Sequence, residues 1–184
     1  MQILSIVTPP KSIRLRQDQY TGVRTYFVTV CCYRRRSAFE NREAACSAID
    51  VLTEMASHHR LDVHAYCFMP DHLHILAEGA TQQSNLIEFI DGFKQSTGFA
   101  YRQKYREVLW QSRFYDHILR LGEAMHDVAW YIWLNPVRQG LCRSPYEYPF
   151  SGSLSFSWKK EECRNIGRWA PPWKLAVSKS ITPG

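Results

Sequence analysis

Thr25 to Tyr33 is dense in β-branched and aromatic side chains, with Tyr26, Phe27, Val28 and Val30 close together, and predicts a strand. From Glu40 to His59 the apolar positions Ala45, Ile49, Leu52, Met55 and Ala56 recur three and four apart, the spacing of an amphipathic helix. Asp62 to Phe68 and Leu73 to Glu78 read as two short strands, and Met69-Pro70-Asp71 between them predicts a hairpin turn. Leu86, Phe89, Ile90 and Phe93 restore the helical period across Asn85 to Tyr105. Val108 to Leu119, carrying Trp110, Phe114, Tyr115 and Ile118, predicts a fourth strand, and Glu123 to Leu134 a third helix stopped by Asn135-Pro136.

The predicted order is β-α-β-β-α-β-α. Its first six elements are the split β-α-β arrangement of ferredoxin-like α+β folds, an antiparallel sheet with two helices on one face, to which a C-terminal helix is added. Residues 1–22, with Pro9, Pro10, Lys11, Arg14 and Arg16 ahead of Tyr20-Thr21-Gly22, predict a basic arm that a partner would order. After Gly140 the chain is rich in Pro, Tyr and Trp, including Trp158, Trp169 and Trp173, with no sustained period. It predicts an extension wrapped on the domain. The expected division is arm 1–22, domain 23–152 and extension 153–184.

Composition narrows the class. The chain has 184 residues, 45% hydrophobic and 14% aromatic, enough for one packed core and too apolar for disorder. Lys and Arg outnumber Asp and Glu by 23 to 17, a net charge of +6 that favours a polyanionic partner such as nucleic acid. The six cysteines Cys31, Cys32, Cys46, Cys67, Cys142 and Cys163 form no C-x-x-C pair and read as reduced, mostly buried thiols. No apolar run approaches a membrane span, and Met1 to Val7 lacks the flanks of a secretory signal, which predicts a cytoplasmic, nucleoid-associated protein with no membrane partner.

Two short constellations carry chemistry. His72-Leu73-His74 opens a predicted strand, and alternation puts both imidazoles on one face, where two such groups can share a metal; surface or satisfied core histidines would show the same spacing. Tyr131 and Asn135 are four apart on the third helix, on one flank, beside the apolar stripe Met125, Val128, Ala129 and Ile132. A packing tyrosine and a helix-ending asparagine would be placed the same way.

Three blocks in order bear on the choice: Tyr66-Cys67-Phe68-Met69-Pro70-Asp71-His72-Leu73-His74, Trp110-Gln111-Ser112-Arg113-Phe114, and Tyr131-Ile132-Trp133-Leu134-Asn135-Pro136-Val137-Arg138-Gln139-Gly140-Leu141. Together they resemble the REP-associated tyrosine transposases of the single-tyrosine HUH superfamily. The resemblance implies that His72 and His74 are metal ligands, that Tyr131 is the nucleophile and that Asn135 is the third ligand. Many relatives carry Gln, Glu or His in that third role, and Asp71 or a water is the alternative here. It also implies Mg²⁺ or Mn²⁺ as the ion, and as substrate single-stranded or hairpin DNA of the REP type, cleaved through a 5′-phosphotyrosine intermediate.

Such chemistry suits these residue types. A phenol is both nucleophile and reversible leaving group, so a phosphotyrosine stores the bond that water would lose. Neutral imidazoles and an amide leave a divalent ion its full charge toward phosphate oxygens, although imidazole by itself prefers softer ions than Mg²⁺. Phosphate contacts are expected from Arg34, Arg35, Arg36, Lys94, Arg102, Lys104, Arg113, Arg120 and Arg138, with aromatic faces for stacked bases. The rival readings are a hairpin-binding protein that has lost cleavage, a metal-dependent phosphodiesterase using water, and a replication initiator or relaxase. The chain is expected to be a monomer or a homodimer.

Overall fold

The computed structural model describes residues 17–120 and 123–160 together with residues 171 and 173. Strand β1 (Thr25–Cys32) is followed by helix α1 (Arg42–His58), strands β2 (Leu61–Met69) and β3 (His72–Gly79), and helix α2 (Leu86–Tyr105). Strand β4 (Trp110–Ile118), helices α3 (Met125–Trp133) and α4 (Asn135–Arg138) and a two-residue strand β5 (Ser151–Gly152) complete the regular elements. The sheet is antiparallel in the order β4-β1-β3-β2-β5. Its first four strands have the predicted ferredoxin-like arrangement, and the α+β class expected from the order of elements holds.

Both faces of the sheet are covered, which is why β2 and β3 read as nearly continuous apolar runs. Val28, Val30, Phe68, Leu73 and Ile75 point to one side and pack with Ala45, Leu52, Phe89 and Phe93 of α1 and α2. Phe27, Ala65, Cys67, Met69 and Leu76 point to the other and pack with Val128, Ala129, Ile132 and Trp133 of α3. Period-two alternation thus sorts each strand between two cores.

Helix ends follow their sequence signals. Asn41 Oδ1 accepts from the amides of Glu43 and Ala44 to start α1, and Asn85 Oδ1 accepts from those of Ile87 and Glu88 to start α2. Arg106, left-handed at φ 59°, closes α2. Asn85→Ala strips two amides of their acceptor and is expected to cost about 1 kcal/mol. That amounts to roughly 2 to 4 °C of melting temperature in a chain of this size, readable by calorimetry.

Three expectations need correction. The third helix does not simply stop at Asn135-Pro136: it ends at Trp133, and Asn135 opens the short α4, because Pro136 fits the first turn of a helix but not the interior of one. Met125 is exposed rather than part of the buried stripe, whose other members are joined by Trp130 and Trp133. Among the described residues the thiols are not mostly buried, since Cys46 is exposed and Cys31 and Cys142 are half-buried, and Cys163 lies outside those residues. Burial does push Cys32 up to about 12 and raises Cys67 as well, so these two are inert packing groups.

Described residues beyond Gly140 pack against α3. Trp158 is buried and stacks on Trp133 with ring centroids 4.7 Å apart, and Tyr148 Oη donates to the Phe68 carbonyl at 2.8 Å. β5 pairs Ser151 with Cys67 and Gly152 with Tyr66, a fifth strand too short to leave a period in the sequence. The expected basic arm lies outside the described residues up to residue 16; Gln17–Tyr20 forms a 3-10 turn, and Tyr20 is buried with its hydroxyl donating to Asp116 at 3.1 Å. Trp169 also lies outside the described residues.

Candidate active site

His72 and His74 fall at the start of β3, and alternation points both toward the face that α3 covers. Cross-strand register carries this face through Cys31, His72 and Met69 in one row and through Tyr115, Thr29, His74 and Cys67 in the next. The two imidazoles meet edge to face, with Nε2 of one 3.0 Å from Nε2 of the other. Their remaining ring nitrogens are each taken by a side chain of the protein.

His72 Nδ1 lies 2.6 Å from Asp71 Oδ1, and His74 Nδ1 lies 2.8 Å from Thr29 Oγ1. Asp71 Oδ2 is paired with Arg35 Nε at 2.8 Å, and Arg35 Nη1 donates to Cys31 Sγ at 3.0 Å. Burial pushes the Asp71 carboxyl up, but the His72 hydrogen bond and the Arg35 guanidinium pull it further down, below its ordinary range. Asp71 is thus an acceptor behind His72, with both oxygens engaged.

The fit of a divalent ion can be judged from this donor set. Two Nε2 atoms about 3 Å apart match neighbouring ligands on an ion with bonds of roughly 2.1 Å. Outer hydrogen bonds on each Nδ1 are what metal-binding histidines ordinarily have. Among the described residues no group of three His, Cys, Asp or Glu side chains forms a metal cage. Asn135, the amide expected as the third ligand, is buried on α4, where that helix packs on β2.

Tyr131 is half-buried on α3. Its ring stands 6.4 Å from that of Phe27, and the Phe27 ring stands 5.4 Å from His74, so one phenylalanine touches both the helix and the histidine pair. Arg138 reaches back from α4, places its guanidinium carbon 4.2 Å from the Tyr131 ring centroid and donates to the Tyr131 carbonyl. The break at Leu134 makes this possible, because α4 turns Arg138 onto the last turn of α3. Trp173 lies on the same face, stacked on His117 at 3.7 Å and 5.7 Å from Phe27.

The predicted phosphate-contacting residues do not form one track. Arg113 is exposed on β4 where the β1–β4 register shifts, and Arg138 is beside Tyr131. Arg34 and Arg35 follow β1 in left-handed conformations at φ 54° and 56°; Arg34 lies over the Tyr33 ring, and Arg36 pairs with Glu107 at 2.8 Å. Lys94 donates to the Ser112 carbonyl, Lys104 pairs with Glu43, and Arg102 is exposed on the same helix. Those three belong to the α1–α2 layer, on the opposite side of the sheet from the histidines. Arg120 is exposed beyond β4, where its amide donates to Glu123.

Thr29 was not legible as a site residue, although it is the hydroxyl between Val28 and Val30 in an otherwise apolar strand. Only the pairing register brings it opposite His74.

Comparison with known proteins places the chain among the transposases. It belongs to the family described as Transposase IS200 like, whose model matches residues 20–132. A Haemophilus influenzae protein described as a REP-associated tyrosine transposase is 30% identical over 156 residues, covering 74% of this chain and 82% of the relative. The REP-associated tyrosine transposase of Escherichia coli K12 is 25% identical over 131 residues, 69% of this chain and 74% of that protein. A solved structure of a REP-associated tyrosine transposase bound to a REP hairpin shares the fold, with a TM-score of 0.61 at 19% identity over 89% of this chain and 85% of that one. The resemblance drawn from the three sequence blocks is thereby borne out. Among the described residues no helix is long and apolar enough to cross a membrane.

Proposed function

We propose that this chain cleaves and rejoins single-stranded, hairpin-forming DNA of the REP type, with Tyr131 as nucleophile and with Mg²⁺ or Mn²⁺ held by His72, His74 and Asn135. The observation that carries the reading is the convergence of two imidazole Nε2 atoms, 3.0 Å apart, on the sheet face crossed by the helix bearing Tyr131. The hairpin bound to the structural neighbour supports the substrate class. When bound, the ion supplies Lewis-acid stabilisation of charge on the phosphate.

The chain's own residues do the rest. Tyr131 Oη forms a bond to phosphorus as the bond from phosphorus to the 3′ oxygen breaks. The phenolic proton passes to solvent, and the departing oxygen takes one up as a 3′-hydroxyl. The downstream strand is left on the enzyme as a 5′-phosphotyrosine, and attack by another 3′-hydroxyl reverses the step. Arg138 beside the phenol and Arg113 on the sheet supply positive charge for the phosphate backbone.

Incubation with 5′-labelled and 3′-labelled REP-type hairpins in Mn²⁺, followed by denaturing electrophoresis, tests the reading. A protein-linked species carrying only the 3′ label is expected. An adduct carrying the 5′ label would reverse the polarity assigned to the link. Hairpin binding without an adduct would make the chain a binding protein that has lost cleavage.

A further inference from the structure

We propose that Asp71 and Thr29 are positioning residues that set which nitrogen of each histidine carries its proton, and that their unlike chemistry lets a metal ion replace a proton between the two rings. The inference rests on the reading of His72 and His74 as metal ligands and concerns the two side chains behind them. It begins from four contacts in a row: Asp71 Oδ1 to His72 Nδ1 at 2.6 Å, Nε2 to Nε2 at 3.0 Å, and His74 Nδ1 to Thr29 Oγ1 at 2.8 Å, with Arg35 Nε on the far oxygen of Asp71 at 2.8 Å.

The proton count follows from what each group can do. An ionised carboxylate only accepts, so His72 carries its proton on Nδ1 and presents a bare Nε2. The proton in the contact between the rings then belongs to His74 Nε2. His74 Nδ1 is bare in turn and accepts from the Thr29 hydroxyl. The metal-free pair is thus a directed chain of hydrogen bonds running from Thr29 to Asp71.

A divalent ion needs both Nε2 atoms bare. His72 already meets this condition, because Asp71 fixes its tautomer. His74 meets it by moving its proton from Nε2 to Nδ1, where it is donated to Thr29 Oγ1. A hydroxyl can make that exchange by rotating, since it is donor and acceptor at once, whereas a carboxylate or an ammonium cannot. No proton is gained or lost overall. Arg35 holds the carboxylate in place, and Thr29 is buried.

The substitutions that test this keep size and change chemistry. Asp71→Asn offers His72 an amide that can donate to Nδ1 and so favours the tautomer with a protonated Nε2, as an asparagine does behind a catalytic histidine in serine proteases. Thr29→Val removes the hydroxyl at constant shape, and Thr29→Ser restores it. Two readouts are needed: Mn²⁺ affinity, from the paramagnetic resonance signal of the free ion, and the histidine tautomers of the metal-free protein, from long-range ¹⁵N–¹H spectra.

Asp71→Asn and Thr29→Val are each expected to weaken Mn²⁺ binding by about 10- to 100-fold, with Thr29→Ser close to the parent. In the parent, His72 is expected as the Nδ1–H tautomer and His74 as the Nε2–H tautomer. Parent-like Mn²⁺ affinity in both Asp71→Asn and Thr29→Val, with binding abolished in His72→Ala, would overturn the positioning roles and leave the metal reading intact. A parent that binds no Mn²⁺ through His72 would overturn the metal reading. The spectra decide the tautomers in either case, and a His72 protonated on Nε2 in the metal-free parent would overturn the inference outright.

Discussion

Tyr131→Phe is expected to form no protein-linked DNA while binding the hairpin within a few-fold of the parent. The substitution removes one oxygen. The ring that packs against Phe27 and beneath Arg138 remains, as does the Tyr131 carbonyl that Arg138 holds, so neither the seating of α3 nor the charge beside it should change. Loss of a nucleophile costs on the order of 10⁴- to 10⁶-fold in rate, so adduct formation should fall below detection, not merely slow down. Denaturing electrophoresis reads the adduct, and mobility shift and calorimetry read binding and folding. Cleavage persisting at the parental rate in Tyr131→Phe would point to water as the nucleophile, the phosphodiesterase reading. Loss of binding together with cleavage would show that the phenol contributes to holding DNA.

The main elements were legible because each obeys one period. β1, α1, the hairpin and α2 all lie within two residues of their sequence-predicted ends. The His72 and His74 pair was legible for the same reason, since alternation alone places them on one face. What joins the pair to the rest of the site is contact across strands, and that depends on register. Thr29 opposite His74 requires the β1–β3 pairing to be known, and Asp71 with Arg35 requires two consecutive left-handed residues after β1. In the sequence, Arg34-Arg35-Arg36 is indistinguishable from a solvated basic loop, yet Arg35 is committed to the carboxylate behind His72. The α3–α4 break was half legible. Asn135-Pro136 signals an end to the helix, but that the chain re-enters helix at once and returns Arg138 to Tyr131 is set by packing on β2. β5 left no signal, because two residues cannot show a period.

Trp133→Ala should be the most damaging single change to stability in the α3 layer. The indole is fully buried, stacks on Trp158 at 4.7 Å, meets Trp130 edge-on at 5.3 Å and donates its Nε1–H to the Gly152 carbonyl at 3.0 Å. One side chain therefore joins α3, β5 and the segment that follows β5. Truncating a buried tryptophan costs about 3 to 5 kcal/mol, through lost burial and the cavity left behind, and the Gly152 carbonyl loses its donor as well. For a domain of this size that is a fall of roughly 6 to 20 °C in melting temperature. Trp133→Phe keeps most of the volume and loses the hydrogen bond, so it should fall by less than half as much. The two variants also separate stability from positioning, because Tyr131 lies two residues away on the same helix. At a temperature where both are folded, Trp133→Ala should lose adduct formation more steeply than hairpin affinity, since the hairpin can be held by the sheet while the phenol depends on how α3 is seated. Equal losses of binding and adduct formation would mean that Trp133 supports the whole domain and has no separate part in aligning Tyr131.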